Sequence, residues 1–267
     1  MTWLTSLSTG TVLALCILST LFISAISLLL LIKLEHGGSE IAGMTAAAYM
    51  TALGSLFAIL TGFLINSEYL TLRETQRAIS TEVAAQSVLA YASASLPPPE
   101  TYRIQALLSK YARALIDSEW RALAIDDETQ STAFDALGDL QLEIADLSSR
   151  PSAPDAPMTS MGSALEAMTA ARRQRVSVAS QTLPMPLLAL SVISGLALII
   201  NALVIALRAG PKYGFVALGI IALVALDIAA VIAISAPFRG PFVASTTPIE
   251  QILREITSGA FLPWIAR

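Results

Sequence analysis

Residues 42–65 read AGMTAAAYMTALGSLFAILTGFLI and run without a break into NSEYLTLRETQRAISTE at 66–82. The first part has 24 residues and no acidic or basic side chain. At about 1.5 Å per residue it reaches across a hydrocarbon core roughly 30 Å thick. The second part is polar, yet Leu72, Ile79, Val83 and Ala90 recur at helical spacing, with no proline or glycine between them. One helix is therefore expected to leave the membrane and continue to about Ser95, where Leu96-Pro97-Pro98-Pro99 ends it.

Three further stretches, 11–32, 186–207 and 213–236, match the first in length and character, and Asp227 is the one acidic or basic side chain in all four. A central charge costs about 2.5–3.5 kcal/mol on insertion scales, so such stretches avoid it. The expected fold is all-α: four transmembrane helices in two hairpins, with a helical cytosolic domain inserted between spans 2 and 3. The divisions are a hairpin at 1–66, an insert at 67–183 with a proline-rich linker at 150–157, a second hairpin at 184–240 and a tail at 241–267. The first span is too long for the apolar core of a secretory signal, and no basic residue precedes it. Trp3, Phe261 and Trp264 suit either an interfacial aromatic belt or packing of the chain ends.

Within the insert, Pro99 is placed to open a second helix carrying Ile104, Leu108, Tyr111 and Leu115 on one face and running through Trp120 and Leu123. A third carries Phe134, Leu137, Leu140, Ile144 and Leu147, and Ser163 with Glu166 makes a capping box for a last helix that leads to Thr182.

Composition agrees: 55% hydrophobic, mean hydropathy +0.68 and 13% charged, against roughly 25% charged in an average soluble domain. Most of the charge lies in the insert, ten Lys/Arg against fifteen Asp/Glu, an acidic balance that argues against nucleic acid as a partner. One cysteine, Cys16, and one histidine, His36, leave no material for a disulfide or a zinc site, so neither metal nor cofactor is expected. Arg73, Arg77, Arg172, Arg173 and Arg175 on the insert side, joined by Arg239, Arg254 and Arg267, outnumber Lys33, Arg208 and Lys212 opposite. The positive-inside bias puts the insert and both termini in the cytoplasm.

The order Thr61-Gly62-Phe63-Leu64, Arg73, Arg77, Glu82, Leu96-Pro97, Tyr111 and Trp120, then a Pro-initiated third span and Pro237-Phe238-Arg239-Gly240-Pro241-Phe242, resembles the bacterial bestrophin-like membrane family over most of the chain. In that family an aspartate commonly precedes the Pro-Phe pair; Ala236 stands there, and the nearest acid is Asp227. The resemblance implies a bacterial inner-membrane protein distantly similar to bestrophins. Those are homopentameric anion channels whose second span lines the pore and continues into a cytosolic helical vestibule.

The candidate site residues follow. Gly43, Ala47, Gly54, Ala58 and Gly62 give span 2 a small-residue face for close packing. Leu53, Phe57, Leu60 and Leu64 form another stripe, which either lines a hydrophobic constriction in a ring of subunits or faces lipid and the bundle core. Asn66, Arg73 and Arg77 stand where a pore mouth is expected, and the arginines serve either as an anion-concentrating collar or as lipid-headgroup contacts. Asp227 and Asn201 are intramembrane polar residues. Asp227 is level with Ser191 and Ser194, and it either glues helices together or marks an ion or proton path. Nine acids between 117 and 146 read as a solvated face.

No Gly-rich phosphate loop, nucleophile elbow or paired histidine supports an enzyme. The expected function is an oligomeric ion channel for small anions, with the lipid bilayer, inorganic ions and further copies of the chain as partners. The alternative is a membrane-anchored sensor or scaffold whose insert binds a ligand or partner. A transporter would require broken helices or inverted halves, for which Gly195 and Gly219 are too little.

Overall fold

The computed structural model describes residues 18–20, 22, 25, 26, 29, 40–125, 132–151, 153–181, 183–209, 213–235, 237, 238 and 242–262. Most of the expected first span, together with Trp3, Cys16, His36, Lys212, Arg239 and Trp264, lies outside the described residues. Among the described residues all regular structure is helical.

Residues 42–82 belong to one helix, α1, Glu40–Ser93, of 54 residues. It ends where the prolines forbid continuation, and Thr101 Oγ1 closes the end by donating to Ser93 O at 2.7 Å and Leu96 O at 3.2 Å. Helix α2, Pro98–Ala114, starts with prolines in its first turn. A π-helical turn, Leu115–Glu119, joins it to α3, Trp120–Ile125. Then follow α4, Thr132–Ser148, and α5, Asp155–Ala179. The expected linker is cut short, because Pro157 sits in the first turn of α5, where a missing N–H has no intrahelical partner to lose. Helices α6, Met185–Ala209, and α7, Gly214–Ile234, are the last two apolar stretches, and α8, Thr247–Thr257, comes from the expected tail. Among the described residues three helices, α1 (over Ala48–Ser93), α6 and α7, are long and apolar enough to cross a membrane.

The chain divides into two compact units, Met1–Leu72 with Thr182–Phe242, and Arg73–Gln181 with Val243–Arg267. In the first, Phe57 joins Leu198, Ile199, Ala202, Leu203, Ala217, Ile221 and Val224 in a continuous apolar core, flanked by Met50 and Leu53. Gly195 permits this packing: a Cβ there would meet Phe57 Cε2 at 2.9 Å and Val224 Cγ1 at 3.0 Å. In the second, Ile79, Leu89, Ile104, Leu108, Leu140, Met161, Met168, Ile249 and Ile252 are buried. Phe261 is buried here with its ring edge-on to Tyr91 at 4.6 Å, the packing role of the two expected for it.

Candidate functional site

Helix α1 carries the residues from which a pore was expected, and its two faces differ. Phe57 is 1% exposed and Leu64 0%. Leu53 and Leu60 are half-buried, Leu53 against the same core as Phe57. Phe57 and Leu64 are thus consumed by packing within the subunit and have no surface left to offer an aqueous path. The uncovered side of the same segment carries Leu56, Ile59 and Phe63, at 44%, 69% and 58% exposure. Asn66, Arg73 and Arg77 are exposed.

Asn201 is buried and its Oδ1 has no hydrogen-bond partner. Asp227 is half-buried on α7. The hydroxyls expected to donate to it do not: Ser194 Oγ donates to Ser191 O at 2.9 Å, and Ser191 Oγ is buried without a partner.

The second unit holds a cluster that the sequence reading spread among lipid contacts and solvated surface. Arg175 of α5 is fully buried. Its Nε donates to Glu82 Oε2 at 2.9 Å, and its Nη2 to Glu82 Oε1 at 3.3 Å and to Glu119 Oε1 at 2.6 Å. Arg172, one turn earlier, donates to Glu119 Oε2 from Nε at 3.0 Å and from Nη2 at 2.7 Å. Tyr111 donates its hydroxyl to Glu82. The Arg175 guanidinium lies 5.9 Å from the Trp120 ring centroid and that of Arg172 lies 5.5 Å from Phe134, so Phe134 remains exposed while serving as a ring for a cation. Four charges of balanced sign thereby tie α1, the π turn and α5 together, with α2 joined through Tyr111.

Glu119 follows Leu115 by four residues and so continues the buried face of α2 through the π turn, where Leu115 and Glu119 are both buried. Glu82 and Arg175 carried a legible signal. Glu82 falls on the buried face of α1 with Thr75, Ile79 and Gln86, and Arg175 on that of α5 with Met161, Met168, Ala171 and Val178. A charge on an apolar face needs a partner of opposite sign. Burial disfavours the charged form of Arg175, but Glu82 and Glu119 outweigh it and its pKa is raised. Burial, and then the Glu82 carboxylate, push the Tyr111 phenol well above its ordinary value. The folded phenol therefore keeps its proton to higher pH than the unfolded one. Its contribution to stability is whole below about pH 10 and is lost as the pH climbs further. Denaturant unfolding between about pH 8 and 11 should show a steeper alkaline loss for the native protein than for Tyr111→Phe.

A shallow cleft of about 300 Å³ lies between α2 and α8, lined by Tyr102, Gln105, Ser109, Ile256 and Leu262 among others, with no charged side chain in its wall. Among the described residues no group of three or more His, Cys, Asp or Glu is placed to hold a metal.

The sequence model of the Bestrophin-like domain family matches residues 40–249. A crystal structure of a bacterial bestrophin homologue from Klebsiella pneumoniae, a point variant, shares 17% identity and covers 92% of this chain and 99% of its own, with a TM-score of 0.71. A second crystal structure of that homologue gives 16% identity, 92% and 97% coverage and a TM-score of 0.70. A crystal structure described as a variant membrane protein gives 14%, 94% and 98%, with a TM-score of 0.71. At these identities the likeness is one of fold. No curated protein matches the chain.

Proposed function

Because the chain belongs to the Bestrophin-like family, we propose that it is an oligomeric ion channel of the bacterial inner membrane, conducting small anions, with α1 lining the pore and the second unit forming a cytosolic vestibule. The observation that carries this is the uncovered face of α1. Leu56, Ile59 and Phe63 recur at helical spacing on a side that neither α6 nor α7 covers, and Asn66, Arg73 and Arg77 extend the exposed residues of the helix from apolar to basic. One subunit offers no enclosed aqueous path through so few spans, so the pore requires several copies around an axis, five by the family resemblance. Residues 11–32 then supply the fourth span, and the insert and both termini face the cytoplasm. Leu56, Ile59 and Phe63 replace Phe57 and Leu64 in the hydrophobic neck, which gates by dewetting.

The test is flux from liposomes reconstituted with purified protein under chloride or potassium gradients. Chloride flux above that of empty liposomes is expected. Replacing Arg73 and Arg77 together by glutamine should lower it by roughly tenfold at low ionic strength and less at high salt, since a charged collar acts by concentrating counter-ions. Absence of flux from folded oligomers would overturn the channel reading in favour of a membrane-anchored sensor, with the cleft between α2 and α8 as the place to look for its ligand.

A further inference from the structure

The membrane unit fixes the register of its three helices at one point. Phe57 of α1 lies against the Gly195 position of α6, and Val224 of α7 approaches the same position. Three residues before Phe57, Gly54 faces Leu198, three residues after Gly195. Helices α1 and α6 are therefore antiparallel, and α7 returns antiparallel to α6, with Ala217 and Ile221 in the cluster that holds Leu198, Ala202 and Leu203.

One turn from this point, in the same direction on all three helices, stand Thr61 on α1, Ser191 on α6 and Asp227 on α7. Thr61 is 2% exposed, Ser191 1%, and Asp227 half-buried. The chemistry of this layer is one-sided. Thr61 Oγ1 gives its proton to Phe57 O at 2.7 Å and so offers only lone pairs to the space between the helices. Ser191 Oγ is buried with no partner at all. No lysine or arginine occurs in 48–65, 185–207 or 214–234 to balance the carboxylate of Asp227. A layer rich in oxygen acceptors, with one carboxylate and no basic side chain, is matched by a small hard cation, which takes oxygen ligands and supplies the missing positive charge.

We propose that Asp227, Ser191 and Thr61 form an intramembrane binding site for a small monovalent metal cation, of which Na⁺ is the probe of choice. The site lies within one subunit and does not depend on the pore.

The experiment uses the purified full-length protein in lipid nanodiscs. Dicyclohexylcarbodiimide modifies protonated carboxyl groups in apolar surroundings, and mass spectrometry of the peptide that carries Asp227 reads the product. In choline chloride Asp227 is labelled; sodium chloride of equal strength suppresses the label with a saturable dependence on sodium. Ser191→Ala raises the half-protecting sodium concentration roughly tenfold or more, the usual scale for a lost site oxygen or its support. The melting temperature of the native protein rises with sodium and not with choline, and that of Asp227→Asn does not respond. Equal protection by sodium and choline, an unlabelled Asp227 in both salts, or an unchanged half-protecting concentration in Ser191→Ala overturns the site. If Asp227→Asn fails to fold, the Ser191→Ala titration carries the test alone. None of these measurements reads ion flux, so their failure is distinct from failure of the channel reading.

Discussion

Arg175→Met is expected to destabilise the second unit by about 3–5 kcal/mol, the scale set by breaking a buried pair from one side. The reason is what remains rather than what is lost. Glu82 and Glu119 are buried, and Arg175 is the partner they share. Removing it leaves Glu82 with the Tyr111 hydroxyl alone among its recorded side-chain partners, and Glu119 with Arg172. Arg175→Lys should rescue little, because an ammonium cannot span two carboxylates with the fork that Nε and Nη2 provide. The triple replacement Glu82→Leu, Arg175→Met, Glu119→Leu removes the stranded carboxylates too, but it takes their partner from Arg172 and from the Tyr111 hydroxyl, so it should recover part of the loss and not all of it. Acid is expected to relieve the single variant. An unpaired buried carboxylate binds a proton more readily folded than unfolded, so the folded state carries more protons and the variant's deficit shrinks as pH falls. Circular dichroism melting of the full-length proteins at about pH 8 and pH 5 checks both statements. A single variant as stable as the native protein at the higher pH would show that the cluster does not hold the unit together.

The cluster also marks where sequence reading reaches its limit in this chain. The lengths of the last three spans and some helix ends were legible because their causes are local: the apolar run at 186–207 became α6, and Pro97 and Pro98 stop α1 at Ser93 and start α2, whereas the capping box expected at Ser163 and Glu166 falls inside α5. The phase of α1 inside the membrane unit was not legible. Leu53, Leu56, Phe57, Ile59, Leu60, Phe63 and Leu64 form one continuous apolar sector of roughly 160°, in which the buried and the exposed side chains are neighbours. Lipid and protein core accept the same side chains, so periodicity cannot tell which face meets α6. Gly195 was weighed only as a helix breaker, whereas its missing side chain is what seats Phe57. Glu119 was legible by phase and obscured by composition. It follows Leu115 by four residues and Leu108 by eleven, on the apolar face of α2, but its neighbours Asp117 and Arg121, both exposed, make it look like one more solvated acid. Arg172, Arg173 and Arg175 are one residue type, and helical phase alone sets Arg175 on the apolar face of α5. Arg173 is exposed, whereas Arg175 is fully buried and pairs with residues 93 and 56 positions away. Local pattern carries no trace of a partner so distant.

Two phenylalanines on α1 separate packing from conduction. Phe57→Ala empties roughly 100 Å³ beside Gly195 and Val224; at about 24 cal/mol per Å³ the unfilled cavity alone costs roughly 2.4 kcal/mol, and with the lost contacts the total is about 3–5 kcal/mol. Its melting temperature should fall, while flux per folded oligomer stays near the native value, because the side chain has no exposed surface from which to narrow a pore. Phe63→Ala should behave in the opposite way. Its ring is 58% exposed in the subunit, so truncation leaves the core filled and changes stability by less than about 0.5 kcal/mol. In the proposed neck the same truncation widens and wets the constriction, and chloride flux should rise by roughly tenfold, the change that about 1.4 kcal/mol off a barrier produces. Ile59→Ala, one turn earlier on the same exposed side, should act in the same direction. Melting curves and liposome flux on the same preparations decide the matter. Increased flux from Phe57→Ala with none from Phe63→Ala would mean that α1 turns its other face to the axis in the assembled protein, and the neck assigned to Leu56, Ile59 and Phe63 would have to be given up.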